Sequence, residues 1–356
     1  MRVSLKQTDV IAPHFKKRSS GVTSTIIQLI PLQRKQGVAI STFGVGLPKN
    51  LPALAFKDIF GLWKSPAGKP FRIWHARRNI EMLCGIFLRD ILRMKLKLIF
   101  TSASQRHHKS FTKWLIRRMN QVIATSVYTG TYLEVPHEVI MHGVDVQRFS
   151  PPKTIDDCFS SSKFSGKYAV GCFGRVRYSK GTDLFVDAMI ALLPRYPDWT
   201  AIIAGRTTVQ HYNFEKEMRK KIAESGLTDR IIFLGEIQDT PLWYRRLSLY
   251  VAPSRTEGFG LTPLEAMASQ TAVVTSDAGA YKELVGEGTG TVVKAGDVLA
   301  LTTAIEPYLA DLEKTLVAGE KALAHVRTHF FLEKEAAAIG NIYETMFTKG
   351  ITEETL

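Results

Sequence analysis

The sequence predicts an α/β protein built from two doubly wound parallel-sheet domains that face each other across a cleft. Three observations predict it. Strand-like apolar runs alternate with helix-period runs along nearly the whole chain, the pattern of a parallel sheet with crossover helices. The chain has 356 residues, too many for one typical core. The alternation breaks once, at Phe149–Gly166, where Pro, Ser and Gly cluster without periodicity as in an interdomain linker. The expected domains are residues 1–150 and 167–330.

In the first half, strands are expected at Asp9–His14, Val38–Phe43, Phe71–His75, Leu96–Thr101, Gln121–Thr125 and Glu138–Met141. Helices fit Val22–Gln33, Asn79–Met94, Lys109–Met119 and Val127–Val135. The Pro- and Gly-rich segment 48–70 takes no assignment. In the second half, strands are expected at Tyr168–Phe173, Thr200–Ala204, Arg230–Leu234, Leu249–Ala252, Ala272–Thr275 and Thr291–Val293. Helices fit Asp183–Leu193, Phe214–Glu224, Pro241–Leu247, Leu261–Ser269, Tyr281–Val285 and Val298–Leu309, and Leu312–Met346 is mostly helical.

Composition narrows the class. Apolar content of 45% and charged content of 22% exclude a disordered chain. Cys84, Cys158 and Cys172 lie far apart without metal-ligand spacing, which fits a reducing compartment and no disulfide framework. The first residues show no apolar secretory core, and no run is long enough to span a bilayer, so a cytoplasmic protein is expected. The net charge of +14 is uneven. Residues 1–150 hold 24 Lys and Arg against 7 Asp and Glu, while residues 151–356 hold 23 against 26. An anionic partner for the first half follows, either nucleic acid or anionic lipid.

Five strand-to-helix turns carry candidate chemistry, since ligands of open α/β sheets bind outside the carboxyl ends of the strands. The richest is Tyr250–Glu265, Y-V-A-P-S-R-T-E-G-F-G-L-T-P-L-E. Glu257 sits on its loop and Glu265 about one turn into the following helix, so both carboxylates can face one pocket. Gly258 and Gly260 permit close backbone approach, and the helix start near Leu261 offers N–H groups to an anion. In Phe173–Asp183, F-G-R-V-R-Y-S-K-G-T-D, the cations Arg175 and Lys180 beside Gly174 and Gly181 suit a diphosphate. The Walker spacing and the dinucleotide fingerprint are both absent. Ser19–Thr25 offers Gly21 and hydroxyls at a helix start, with Lys16–Arg18 upstream; helix capping explains it equally well. Trp74–Asn79, W-H-A-R-R-N, offers His75 to a sugar or leaving group and Arg77 or Arg78 to phosphate. Thr275–Val285, with Gly279 and Glu283, lines the same cleft.

G-R-V-R-Y-S-K-G followed by E-G-F-G-L-T-P-L-E resembles the retaining glycosyltransferases of the family 4 type, with the GT-B arrangement of two Rossmann-like domains. Lys180 and Glu257 stand 77 positions apart, and the likeness covers nearly the full chain. H-A-R-R-N-I-E-M, R-D-I-L-R-M, F-T-S-A-S-Q-R and V-I-M-H-G-V-D are similar to the alphaproteobacterial lipopolysaccharide core mannosyltransferases.

The resemblance implies roles position by position. Arg175 and Lys180 would bind the donor diphosphate and stabilise it as it leaves. Glu257 would hold sugar hydroxyls beside the Gly258, Phe259, Gly260 and Leu261 backbone, and Glu265 the nucleotide ribose. Gly21 would lie near the donor phosphates, although Ser20 departs from the family's Gly-Gly pair, and His75 near the reacting centre. The first domain would bind the acceptor and the second the nucleotide sugar, with a last helix at about 331–356 packing back on the first domain. The implied reaction is transfer of mannose from GDP-mannose or a similar nucleotide sugar to the Kdo region of a lipid A core precursor. No metal is required, because the loop cations and helix dipoles neutralise the leaving group. The acceptor would be an anionic lipid-linked saccharide, met peripherally at the inner face of the bacterial inner membrane. Another hexose donor is one alternative. A basic nucleic-acid-binding protein is the other, disfavoured because no stacking platform or nucleic-acid motif accompanies the charge.

Overall fold

The computed structural model describes residues 1–16 and 21–355, with side chains to residue 351. The chain divides into two compact units, Met1–His142 with Leu332–Leu356 and Gly143–Phe331. The division falls at His142/Gly143, upstream of the stretch read as a linker.

Unit 1 is built on a parallel sheet of β1 (Val10–His14), β2 (Ile40–Gly44), β3 (Arg72–Ala76), β4 (Leu96–Ser102), β5 (Gln121–Ala124) and β6 (Glu138–Val139). Its order is β2-β1-β3-β4-β5-β6. The helices are α1 (Gly21–Lys35), α2 (Asn79–Ile86), α3 (Ser110–Arg117) and the single turn α4 (Val127–Gly130). Unit 2 is built on β7 (Tyr168–Phe173), β8 (Trp199–Ala204), β9 (Ile231–Gly235), β10 (Leu249–Ala252), β11 (Ala272–Ser276) and β12 (Gly290–Val293). These strands are also all parallel, in the order β12-β11-β10-β7-β8-β9. Its helices are α5 (Thr182–Leu192), α6 (Tyr212–Glu224), α7 (Thr240–Arg245), α8 (Thr262–Ala268), α9 (Tyr281–Leu284), α10 (Val298–Ala310) and α11 (Leu312–His329). A last helix, α12 (Leu332–Thr355), belongs to unit 1.

Strands covered on both faces are largely apolar, and β1, β3, β8, β10 and β11 are buried throughout, with the polar side chains of His14, Arg72 and His75 among them hydrogen-bonded. In unit 1, α1 and α12 cover one sheet face through Ile26, Ile30, Ile73, Ile339 and Tyr343. Leu54, Trp74, Met82, Leu98 and Leu115 fill the other, under α2, α3 and the segment before β3. The unassigned segment 48–70 therefore has a place. Its Leu54 and Leu62 are buried, a 3-10 turn spans Phe56–Gly61, and Ala53 bridges Thr42 on the sheet edge.

Three expectations change. The helix read over Asn79–Met94 stops at Ile86 and continues as one wide π turn, Phe87–Ile91. The helix read over Val127–Val135 ends at Gly130. The stretch Phe149–Gly166 is docked on unit 2. Phe149 packs edge-on to Tyr244 at 5.7 Å, Asp157 accepts from Arg245 at 2.9 Å, and Phe159 is buried. Loss of periodicity marked irregular backbone there, and a few anchoring side chains hold it down. No helix among the described residues is long and apolar enough to cross a membrane.

Candidate active site

The strand order of unit 2 places the site. From β7 the chain winds outward through β8 and β9, then returns to put β10 on the other side of β7. The β7 and β10 carboxyl ends thus lie side by side at a topological switch point, where diverging loops leave a crevice. The loop after β7 carries Arg175 and Lys180, and the loop after β10 carries Glu257.

Backbone geometry locks the two loops together. Gly181 closes the first with φ +69°, and a Cβ there would meet the Pro253 carbonyl oxygen at 2.0 Å, so glycine is required twice over. The Ser179 carbonyl accepts the N–H groups of Arg255 and Thr256 at 3.0 and 3.2 Å. The Arg255 guanidinium donates to both Asp183 oxygens at 2.7 and 2.8 Å and lies 3.8 Å from the Tyr178 ring centre. The planar fork matches the carboxylate, and the ring face accepts the cation.

The Lys180 ammonium bonds Glu257 Oε2, and both side chains are largely buried. Glu257 Oε2 also accepts the Tyr281 hydroxyl at 3.2 Å, and Oε1 accepts the Gly258 N–H at 3.0 Å. At Gly260, φ is +86° and a Cβ would strike the Tyr281 ring at 2.3 Å. The E-G-F-G turn is therefore moulded around the Glu257 carboxylate, with Phe259 buried beneath it. Arg175 is exposed at the rim of a narrow crevice of about 10 Å³, which Phe173, Gly174, Lys180, Ser254 and Tyr281 also line.

Glu265 lies in the first turn of α8, after Leu261 at the helix N-cap. Its Oε2 accepts the Tyr244 hydroxyl at 2.9 Å. Burial raises its pKa from the ordinary glutamate value, opposed by the Tyr244 hydrogen bond and the Arg148 charge. The Tyr250 phenol lies near both glutamates, and its pKa is pushed well up by burial, Cys172 and then the charges of Glu265 and Glu257. Glu257 and Glu265 thus share one neighbourhood.

The unit 1 candidates fare differently. His75 is fully buried within β3. Its Nδ1 pairs with the Tyr343 hydroxyl at 2.6 Å and its Nε2 with Thr101 Oγ1 at 2.7 Å. Burial, then the charge of Arg77, holds its pKa well below the ordinary histidine value. Both ring nitrogens are thus engaged by unit 1 side chains. Gly21 begins α1 without a positive φ, and a Cβ there meets nothing within 4 Å, so no backbone constraint demands glycine. Lys17, Arg18, Ser19 and Ser20 lie outside the described residues. Arg78 is committed to Glu81 at 3.0 Å and Thr23 at 3.3 Å. Among the described residues, no group of three or more His, Cys, Asp or Glu is placed to hold a metal ion.

Sequence reasoning passed over Arg255, Asp183 and Tyr244. A signal existed for the first two: an arginine two positions before Glu257 and an aspartate closing the Lys180 loop, both on turns already picked out.

Residues 167–311 match the family described as Glycosyl transferases group 1. The chain is 57% identical over 343 residues to the lipopolysaccharide core biosynthesis mannosyltransferase LpcC of Rhizobium leguminosarum bv. viciae, covering 96% of this chain and 97% of that protein. It is 53% identical to LpsB of Rhizobium meliloti, which carries the same description, over 97% and 99% of the two chains. The crystal structure of Anabaena Alr3699/HepE in complex with UDP and glucose superposes with a TM-score of 0.77 at 19% identity, covering 94% of this chain and 99% of that one, which shows a shared GT-B fold. These likenesses leave the nucleic-acid-binding alternative without support. With more than half its residues identical to each of the two rhizobial proteins over nearly its full length, the chain belongs to the lipopolysaccharide core biosynthesis mannosyltransferases, a branch of the group 1 glycosyltransferases.

Proposed function

We propose that the chain transfers mannose from GDP-mannose to the Kdo region of a lipopolysaccharide core precursor, with retention at the anomeric carbon. The observation that carries the reading is the Lys180–Glu257 contact at the β7–β10 switch point, with Arg175 on the adjoining rim. A diphosphate seated there meets two cations, and a sugar beyond it meets the Glu257 carboxylate. Lys180 then exchanges part of its bond to Glu257 for a phosphate oxygen, which leaves Glu257 free to accept sugar hydroxyls.

In the reaction the bond from the anomeric carbon to the diphosphate oxygen breaks. The bond to the acceptor oxygen forms on the same face, and the acceptor hydroxyl proton passes to the leaving phosphate. Arg175 and Lys180 stabilise the charge that grows on that phosphate. Glu265, beside Tyr244, receives the ribose hydroxyls. The acceptor is an anionic saccharide on a lipid, met at the anionic inner face of the bacterial inner membrane.

The test is incubation with a panel of nucleotide sugars, with and without a Kdo-bearing lipid A acceptor, reading release of nucleoside diphosphate. Acceptor-dependent GDP release from GDP-mannose is expected. Faster turnover of another sugar nucleotide would replace the donor, and release indifferent to the acceptor would replace the acceptor.

A further inference from the structure

The outer side of the layer formed by 56–63, α2 with its π turn, and α3 is unusually apolar. Along α2 and the π turn, Ile80, Leu83, Phe87 and Ile91 are exposed at i, i+3, i+7 and i+11, a stripe down one side. The core-facing side is served by Met82, Ile86 and Leu88. Phe60 is 71% exposed and Ile91 68%. Phe111 and Trp114 are exposed and stack at 6.0 Å, and the Arg118 guanidinium lies 4.7 Å from the Trp114 ring centre.

These residues form one surface because hydrogen bonds tie the elements. Trp63 Nε1 donates to the Leu92 carbonyl at 2.7 Å, Asn79 Nδ2 to Thr112 Oγ1 at 2.8 Å, and Arg89 Nη1 to the Arg118 carbonyl at 2.9 Å. Residues 79–119 hold nine Lys and Arg against two Asp and Glu, and one of those acids, Glu81, is buried. Unit 2 also exposes large apolar side chains, but its exposed aromatics are the tyrosines Tyr178 and Tyr212, with no Phe or Trp among them.

We propose that this face of unit 1 docks on an anionic lipid bilayer with Phe60, Trp63, Phe87, Ile91, Phe111 and Trp114 entering the headgroup region. The inference rests on the reading that the acceptor is held in a membrane. The charge of the layer selects the occupant: although Asp90 pairs with Arg89 and Arg118, basic residues far outnumber acidic ones, and exposed aromatics on such a face, Trp114 against Arg118 among them, suit the boundary between acyl chains and anionic headgroups. Attachment is then only partly electrostatic. Salt weakens it, and the inserted side chains keep a residue of it.

The full-length protein is tested against vesicles of phosphatidylcholine alone and with phosphatidylglycerol, some carrying brominated acyl chains. Binding to the anionic vesicles is expected, with part retained at high salt, and the bromolipid quenches tryptophan emission. Trp74 and Trp199 are buried, and Trp243 is half-buried in unit 2 against Phe164 and Arg246, so Trp63→Phe with Trp114→Phe removes most of the quenching. Phe60→Ser with Phe87→Ser and Ile91→Ser weakens binding at least about tenfold and abolishes the salt-resistant part. Mannosyl transfer to detergent-dispersed acceptor stays within about twofold of wild type in that variant. Circular dichroism checks its fold, and Ile91→Ser alone gives a milder variant with a smaller loss. Wild-type binding by the folded triple variant, or unchanged quenching in the tryptophan variant, overturns the proposal. So does a wild-type dimer by sedimentation velocity that the triple variant loses while its vesicle binding is unchanged, which would assign the face to a second copy. Vesicle binding without transfer to any acceptor would count against the proposed function and leave the docking face standing.

Discussion

Arg255 grips Asp183 with both ends of its guanidinium, at 2.7 and 2.8 Å, and so fixes the Lys180 loop to the strand end that leads into Glu257. Neither residue is assigned to the substrate; their pairing sets the spacing of residues that are. Asp183→Asn should lower donor kcat/KM about tenfold and the melting temperature by about 2–4 °C. Arg255→Lys should do much the same, because a point charge cannot replace a planar fork. Steady-state kinetics with thermal melts checks this, and unchanged kinetics in both variants would disconnect the pair from the site.

Removing a loop cation should be worse for catalysis than for stability. Arg175→Ala or Lys180→Ala is expected to lower donor kcat/KM between about tenfold and a few hundredfold, the scale of one charge-assisted contact. Lys180→Ala should lose less in a Glu257→Gln background than in wild type, because the two side chains are bonded. A double-mutant cycle measures that coupling. Strict additivity would mean that the pair seen without donor has no part in turnover.

The two glutamates should fail differently. Glu265→Ala should mainly weaken nucleotide binding, since ribose contacts exist in ground and transition states alike. Glu257→Ala should mainly lower kcat. Product inhibition by GDP separates them: it weakens in the Glu265 variant and persists in the Glu257 variant. The opposite pattern exchanges the roles.

Burial raises the Glu265 pKa, which gives a dependence of stability on pH. The folded protein holds that proton more tightly than the unfolded chain does. The resulting stabilisation is complete below the ordinary carboxylate range and is lost as pH rises through the raised value. Glu265→Gln removes this dependence. The variant should melt above wild type near neutral pH, with the gap closing as the buffer is acidified toward the carboxylate range. A gap that widens on acidification would reverse the sign of the shift.

The strands along the chain were legible because parallel strands covered on both faces are largely apolar. The candidate loops of unit 2 stood out because cations, glycines and carboxylates fell on strand-to-helix turns, and the structure brings Lys180 and Glu257 of two such turns together. The stretch from Asn79 was harder. Its apolar residues at helical spacing look like a core stripe, yet Ile80, Leu83, Phe87 and Ile91 face outward and the acidic Glu81 is buried. Glu81 is inside because its carboxylate accepts the Arg77 N–H at 2.7 Å and pairs with Arg78 at 3.0 Å. Gly85 packs so closely on Trp74 that a Cβ would lie 2.7 Å from the ring. Periodicity gives a stripe and leaves its direction open; contacts with residues distant in sequence decide it. The partners of His75 were hidden for the same reason, since Tyr343 and Thr101 lie far along the chain.

Unit 1 is assembled from two separated lengths of chain, and this orders events on the ribosome. All six strands of its sheet are synthesised before unit 2, but the helix carrying Ile339, Ile342, Tyr343 and Phe347 follows unit 2. While the nascent chain grows, Ile26, Ile30, Ile73 and Ile99 lack part of their cover. Unit 2 is continuous and can complete itself during that interval. The uncovered apolar sheet face is what a chaperone would hold, and translation arrested before Leu332 would leave a finished second unit beside a first that cannot close.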